Sequence, residues 1–332
     1  MSKIKPSKGA PYARIMGVGG YRPTRVVPNE VILETIDSSD EWIRSRSGIA
    51  SRHWASPEET VAAMSIEASG KAIADAGITP EQIDGVIVST VSHFKQTPAI
   101  ATEIADRIGA GKPPAFDISA GCAGFGYGLT LAKGMVVEGS ASHVLVIGVE
   151  RLSDLTDPED RATAFLFGDG AGAVVVGPAE EPMIGPTVWG SEGDKSDTIK
   201  QTVPWDEYRG GTGKFPAITQ EGQAVFRWAV FEMAKVAQQA LDAAGITSAE
   251  LDVFIPHQAN MRIIDSMVKT LKLPDSVTVA RDVETTGNTS AASIPLAMER
   301  LLATGQAKSG DTALVIGFGA GLVYAATVVT LP

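Results

Sequence analysis

Short apolar runs that end in glycine alternate along this chain with longer stretches of helical period. Leu145-Val-Ile-Gly148 and Leu314-Val-Ile-Gly317 each read as a buried strand entering a glycine. Leu129 to Val137 and Ile294 to Leu302 instead space their apolar residues as one face of a helix. Polar helices thus separate apolar strands, in the order helix, strand, helix, strand, glycine hinge, strand. This order predicts an α/β fold with a largely parallel sheet.

The order occurs twice. Ala72 to Ile87 reads AIADAGITPEQIDGVI, and 168 positions later the chain reads ALDAAGITSAELDVFI. Ala72/Ala240, Gly77/Gly245, Thr79/Thr247, Asp84/Asp252 and Ile87/Ile255 are identical pairs. Each segment reads as a helix stopped at glycine, a capped turn and a strand. Farther on, Gly168-Asp-Gly-Ala-Gly172 resembles Gly317-Phe-Gly-Ala-Gly321, but the offset has dropped to 149. The first copy therefore carries an insertion, about 149–167, and connections that long are uncommon unless functional. Two halves are expected, 1–180 and 181–332, crossing over near Gly177 to Pro186 and packed by a pseudo-two-fold axis. Ligands would enter at the carboxyl ends of the strands.

Composition narrows the function. Lys and Arg number 28 against 39 Asp and Glu, a net charge of −11, which disfavours a nucleic-acid partner. One cysteine among 332 residues excludes an internal disulfide, and with four histidines it cannot build a Cys-rich zinc site. The polar amino-terminal stretch does not resemble a signal peptide, and no segment approaches a membrane span, so a cytoplasmic location is expected.

Three residues stand out chemically. Cys122 lies in Ala120-Gly-Cys-Ala-Gly124, between a strand-like and a helical segment, where small neighbours allow a sharp nucleophile-bearing turn. A helix start behind it would lower the thiol pKa, although a lone cysteine is also often a buried packing residue. His257 follows the strand-like Asp252-Val-Phe-Ile-Pro256 and could stabilise a thioester oxygen or a carbanion-like species, or simply be a hydrogen-bonded loop residue. Asn288, in Gly287-Asn-Thr-Ser, is open to reading as a helix cap or as a site residue. The offset of 168 puts Ser290 opposite Cys122, so the two turns should meet across the pseudo-axis. Gly17-Val-Gly-Gly and Gly168-Asp-Gly-Ala-Gly precede strand-like residues, not helices, which argues against a dinucleotide or P-loop site. A glycine hairpin beside a nucleophile suggests backbone N–H groups aimed at an oxyanion.

Together, Cys122 in Ala-Gly-Cys-Ala-Gly-Phe, His257 in Pro-His-Gln-Ala-Asn, Asn288 in Gly-Asn-Thr-Ser-Ala-Ala-Ser, Phe167-Gly-Asp-Gly-Ala-Gly and Gly317-Phe-Gly-Ala-Gly321 resemble β-ketoacyl-acyl carrier protein synthase III of the actinobacterial type. The resemblance implies a thiolase fold, with duplicated βαβαβ halves layered α/β/α/β/α. It implies ping-pong initiation of fatty acid synthesis: Cys122 accepts an acyl group from acyl-CoA, then malonyl-acyl carrier protein loses CO₂ and condenses with it. His257 and Asn288 would stabilise the enolate, and the N–H groups of Cys122 and Ala320 would form the oxyanion hole. Trp42, Arg46 and Arg161 match CoA-binding positions, and Phe226 and Asn260 match positions lining the pantetheine tunnel. Thr97 and Phe318 match acyl-pocket positions. Relatives restricted to acetyl groups often have a bulky aromatic before Pro98, so Thr97 implies a roomier pocket for branched or longer starters. No metal or other cofactor is implied, since the CoA thioester is a substrate; a homodimer is.

An acidic carrier protein needs local positive charge. Arg227, Arg262 and Lys269 are expected to surround the tunnel mouth, with Met261 to Lys272 helical. A priming ketosynthase of polyketide assembly would share this chemistry. A thiolase fits poorly, because thiolases generally use a second cysteine as base. A cysteine hydrolase would release free acid, and a non-catalytic acyl-CoA-binding protein would survive Cys122→Ala unchanged.

Overall fold

A computed structural model describes residues 4–209, 211 and 213–332. Its ten principal strands are β1 (Tyr12–Tyr21), β2 (Gly85–Ser89), β3 (Ala115–Ile118), β4 (Val144–Arg151), β5 (Asp169–Ala179), β6 (Val188–Ser191), β7 (Val253–Pro256), β8 (Thr278–Val279), β9 (Thr312–Gly319) and β10 (Val323–Thr330). They form two five-stranded sheets, ordered β1-β5-β4-β2-β3 and β8-β7-β9-β10-β6. Counted within its own half, each sheet has the same strand order. Four strands of each run one way and the fifth, β5 or β10, runs against them. The sheets are thus mixed: half of their strand pairings are antiparallel, because the glycine hinge returns as a hairpin.

The helices that frame the sheets are α1 (Asp40–Ser47), α2 (Val61–Asp75), α3 (Ile100–Arg107), α4 (Gly124–Glu138), α5 (Gly222–Ala244), α6 (Met261–Leu271) and α7 (Ser293–Ala303). α2 and α3 cover the outer face of the first sheet, and α5 and α6 that of the second. α4 and α7 lie between the sheets, where Leu129, Val136, Ile294 and Met298 share one core with residues of both. This gives five layers, α/β/α/β/α. A smaller core beneath α1 joins Ile43 and Ile49 to Leu152, Phe165 and Ile264.

The repeated residues perform repeated tasks. The helices ahead of β2 and β7 stop at Gly77 (φ 68°) and Gly245 (φ 72°). Capping boxes follow, Thr79 with Gln82 and Thr247 with Glu250. Asp84 then accepts the N–H groups of Ser142 and His143 just ahead of β4, and Asp252 accepts that of Thr312 at the start of β9.

Two sequence expectations shift. Val149–Arg151 remain in β4, Arg151 pairing with Asp169, so the insertion begins at Leu152. The register Val86 with Ala115 and Phe254 with Val279 makes the offset 164 at β3 and β8, and a longer connection after β8 brings it to 169 at the turns that follow. The turns Gly121–Ala123 and Ser290–Ala292 correspond at that offset, as do the starts of α4 and α7. Ser290 (φ 48°) is therefore the counterpart of Gly121 (φ 47°), and Cys122 faces Ala291.

Candidate active site

The two turns are seated by glycines on the opposite halves. A Cβ on Gly148 of β4 would lie 2.1 Å from the Ala291 carbonyl oxygen, and one on its counterpart Gly317 would lie 2.9 Å from Ala123 Cα and from the Cys122 oxygen. Each strand thus admits the other half's turn only because it lacks a side chain there.

Cys122 sits at this crossing, ahead of α4, with Gly319 packed against it: a Cβ there would lie 2.9 Å from the cysteine nitrogen and 3.0 Å from Sγ. It lines an inner chamber of about 200 Å³ together with His257, Asn288, Ser290, Phe318 and Ala320. Cys122 is partly open to this chamber, but protein closes around the thiol and pushes its pKa up to about 12. Burial therefore outweighs the helix start from which a lowered value was expected. The Ser290 hydroxyl, lining the same chamber, favours ionisation of the thiol, and the Glu150 carboxylate opposes it.

His257 follows β7, its N–H donating to the Ile316 carbonyl at 2.7 Å. Its Nδ1 meets Ser293 Oγ at 2.7 Å, and the Gln258 N–H also reaches that oxygen, at 3.4 Å. A proton donated by Ser293 Oγ to Nδ1 would leave the ring proton on Nε2, the tautomer that can donate into the chamber. Burial drives the imidazole pKa down to about 3, so the ring is neutral at pH 7. Phe318 packs edge-on against it at 5.3 Å.

Asn288 is oriented by its own turn. Oδ1 accepts the Ser290 N–H at 2.8 Å, so the side-chain nitrogen is the group left for a ligand. Its backbone bridges Phe167, with Asn288 N donating to Leu166 and Gly168 N donating to Asn288. Gly121 and Ala320 adjoin, a Cβ on Gly121 lying 3.3 Å from Ala320 N. Ala320 is not among the residues with positive φ, so alanine suits this hairpin.

An outer vestibule of about 510 Å³ is lined by Trp42, Arg46, Phe226, Arg227, Asn260 and Arg262, and it shares Asn288, Val225 and Ile263 with the inner chamber. The Arg161 guanidinium stands 4.9 Å from the Trp42 ring and that of Arg46 5.8 Å from it. Arg262 lies over Phe226 at 4.8 Å. Asn260 caps α6, accepting from Arg262 N and donating to the Arg46 carbonyl, so its amide also ties α1 to α6. Arg227 falls inside α5, and α6 stops at Leu271, leaving Lys272 as a left-handed cap. Lys269, on α6, is exposed and outside the vestibule lining. Thr97 is exposed ahead of α3 and lines neither cavity.

Ser290, Ser293 and Glu150 were not singled out as site residues by the sequence motifs. Glu150 is fully buried, accepting from Ser92 Oγ at 2.6 Å, Val91 N at 3.1 Å and Thr90 Oγ1 at 3.3 Å. Burial pushes its carboxyl up to about 7.

A buried thiol, a neutral histidine and an aimed amide, gathered where two copies of one α/β half meet, define an acyltransferase of the thiolase architecture that works through an acyl-cysteine. A family model for the carboxyl-terminal part of 3-oxoacyl-[acyl-carrier-protein] synthase III matches residues 241–331, and one for 3-oxoacyl-[acyl-carrier-protein] synthase III matches residues 116–193. A β-ketoacyl-[acyl-carrier-protein] synthase III of Streptomyces glaucescens is 87% identical over the whole of both chains. A priming β-ketosynthase from the R1128 polyketide biosynthetic pathway superposes with a TM-score of 0.97 at 45% identity, covering 100% of this chain and 99% of that one. The synthase III of Aquifex aeolicus VF5 gives 0.88 at 37%, covering 96% and 99%. The chain belongs to the β-ketoacyl-[acyl-carrier-protein] synthase III family.

Proposed function

We propose an assignment of this chain's residues to the family reaction. The enzyme condenses an acyl-CoA with malonyl-acyl carrier protein in fatty acid biosynthesis, releasing CoA and CO₂. Cys122 attacks the acyl-CoA carbonyl, whose oxygen takes the N–H groups of Cys122 and Ala320. The acyl-cysteine then waits while the malonyl thioester loses CO₂. Neutral His257, through Nε2–H, and Asn288, through its side-chain nitrogen, hold the enolate oxygen so formed. The enolate carbon attacks the acyl carbonyl, and the cysteine sulfur leaves.

The observation that carries this reading is the convergence of two oriented, uncharged donors on one chamber with the thiol. Outside it, Trp42, Arg46 and Arg161 hold the CoA nucleotide, with Phe226 and Asn260 along its pantetheine arm. Arg227, Arg262 and Lys269 receive the acidic carrier. The halves are 1–180 and 181–332, with the nucleotide-binding insertion between β4 and β5. Phe318 walls the acyl site, while Thr97 reaches it from the partner subunit of a homodimer, leaving space for branched or longer starters. Among the described residues no helix is long and apolar enough to cross a membrane.

Mass spectrometry after incubation with a series of acyl-CoAs tests this assignment. An acyl adduct on Cys122 that malonyl-carrier protein discharges as a ketoacyl product is expected, with isobutyryl-CoA turning over faster than acetyl-CoA. Equal or faster turnover of acetyl-CoA would remove the starter preference. Release of free acid without malonyl-carrier protein would identify a hydrolase instead. Polyketide priming differs only in starter and carrier, and the match to the R1128 ketosynthase makes that carrier worth including.

A further inference from the structure

Glu150 is a fully buried carboxylate of β4, and the Ser290–Ala292 turn packs against both β4 and the turn that carries Cys122, with Ser290 lining the chamber beside the thiol. At the offset of 169 its counterpart is Gly319, the residue whose missing side chain makes room for Cys122. On the other side of the pseudo-axis the same strand position carries a carboxylate, beside the turn of Ser290 and Ala291. The groups facing Glu150 come from three elements: Thr90, Val91 and Ser92 after β2, Ser290 from the second-half turn, and Cys122 beyond Ser290. Cys122 is the titratable group that feels its charge. Arg151, next along β4, pairs with Asp154 at 3.0 Å instead.

We propose that Glu150, acting through the Ser290 hydroxyl, takes up the Cys122 proton as the acyl group is transferred. As Sγ forms its bond to the thioester carbonyl carbon, its proton moves to Ser290 Oγ, and the Ser290 proton moves to Glu150. When the bond from that carbon to the CoA sulfur breaks, the electron pair goes to CoA. The proton returns from Glu150 through Ser290 to the CoA thiolate, so CoA leaves as a thiol and the carboxylate is restored. A thiol held neutral in a closed chamber needs such an acceptor. His257 is a poor one, because burial resists its protonation. Glu150 is a positioning residue here, and Ser290 makes the contact with sulfur.

This inference rests on Cys122 as acyl acceptor, and single-turnover acylation separates the two claims. The adduct on Cys122 is followed by mass spectrometry between about pH 5.5 and 9, with isobutyryl-CoA and no carrier protein, in the intact enzyme. The wild-type rate is expected to fall on the acid side of a midpoint near neutrality. Glu150→Gln should acylate at least about tenfold more slowly at neutral pH and lose that midpoint. Glu150→Asp should regain part of the rate. Ser290→Ala, which leaves the carboxylate in place, should show the same loss, and it carries the test should Glu150→Gln fail to fold. A wild-type rate and pH profile in Ser290→Ala would overturn the relay while leaving the acyl-enzyme intact. No adduct on wild-type Cys122 would overturn both.

Discussion

Position by position, the two halves place different chemistry on the same backbone. Where the second half has His257 held by Ser293, the first has Ser89 against Gly124, so close that a Cβ on the glycine would collide with the serine hydroxyl. Asn288 corresponds to Ser119, Ser290 to Gly121, and Gly319 to Glu150. In the proposed assignment the first half contributes the nucleophile, and the second contributes His257 and Asn288, the donors for the enolate oxygen. Neither copy holds a working site. The duplication supplies one geometry, seated by Gly148 and Gly317, and each copy has filled it with the half of the chemistry the other lacks.

Moving the thiol across the axis should have the largest effect. Cys122→Ala is expected to lower turnover by at least about 10⁴-fold, and adding Ala291→Cys should restore none of it, because His257 and Asn288 line the chamber of the first turn. Recovered activity in steady-state assays would show that the two sides are interchangeable.

Ser293→Ala removes the partner of His257 Nδ1 that the first half never had. Loss of roughly tenfold to a hundredfold is expected in malonyl decarboxylation, with acylation unaffected, by separate assays of the two half-reactions. Equal losses in both would mean that Ser293 supports the turn rather than the imidazole.

The halves should also respond oppositely to pH. Glu150 is raised from 4.5 to about 7 in the folded chain, so across that window the native state binds the extra proton and stability falls as pH rises. His257 is lowered from 6.5 to about 3, so there the unfolded state binds the extra proton and stability rises with pH. The two slopes oppose each other between 4.5 and 6.5. Urea denaturation should show Glu150→Gln gaining on wild type as pH climbs, by on the order of 2–3 kcal/mol at pH 8 relative to pH 4.5. A difference independent of pH would show that the carboxyl keeps its ordinary value.

The smallest effect concerns the surface, where the proposed carrier patch belongs wholly to the second half. Charge reversal at Arg262 and Lys269 should raise the KM for malonyl-carrier protein by about threefold to tenfold, less at high salt, with acyl-CoA acylation little changed. An unchanged KM would place docking elsewhere.

Much of this was legible in the sequence because the duplication displayed each signal twice. Gly77/Gly245, Thr79/Thr247 and Asp84/Asp252 act locally, through caps and turn closures, so their spacing fixed the elements. The Cys, His and Asn motifs likewise carry their chemistry in adjacent residues. The counterpart of Cys122 was displaced by one residue because connections of unequal length before and after β3 and β8 leave the strand patterns intact and shift the residues beyond them. The thiol pKa was misjudged because a helix start can be read along the chain, whereas burial is contributed by the other half. Ser293 meets His257, 36 residues away, and Glu150 lies on a strand packed against the turn of Ser290, far along the chain, and a Glu in a strand or a Ser at a helix start announces neither placement. Lys272 reads as the last turn of α6 by spacing alone, and only its left-handed backbone removes it from that face.

The exchange of turns at Gly148 and Gly317 also bears on how the chain folds. Each half completes its reactive turn only against the other, and the core around Leu129 and Ile294 draws on both sheets. The sequence is divisible by homology but not by cooperativity. Fragments 1–180 and 181–332 made separately should expose the shared apolar layer and aggregate, recovering a soluble form only when synthesised together, while the intact enzyme should melt in one transition.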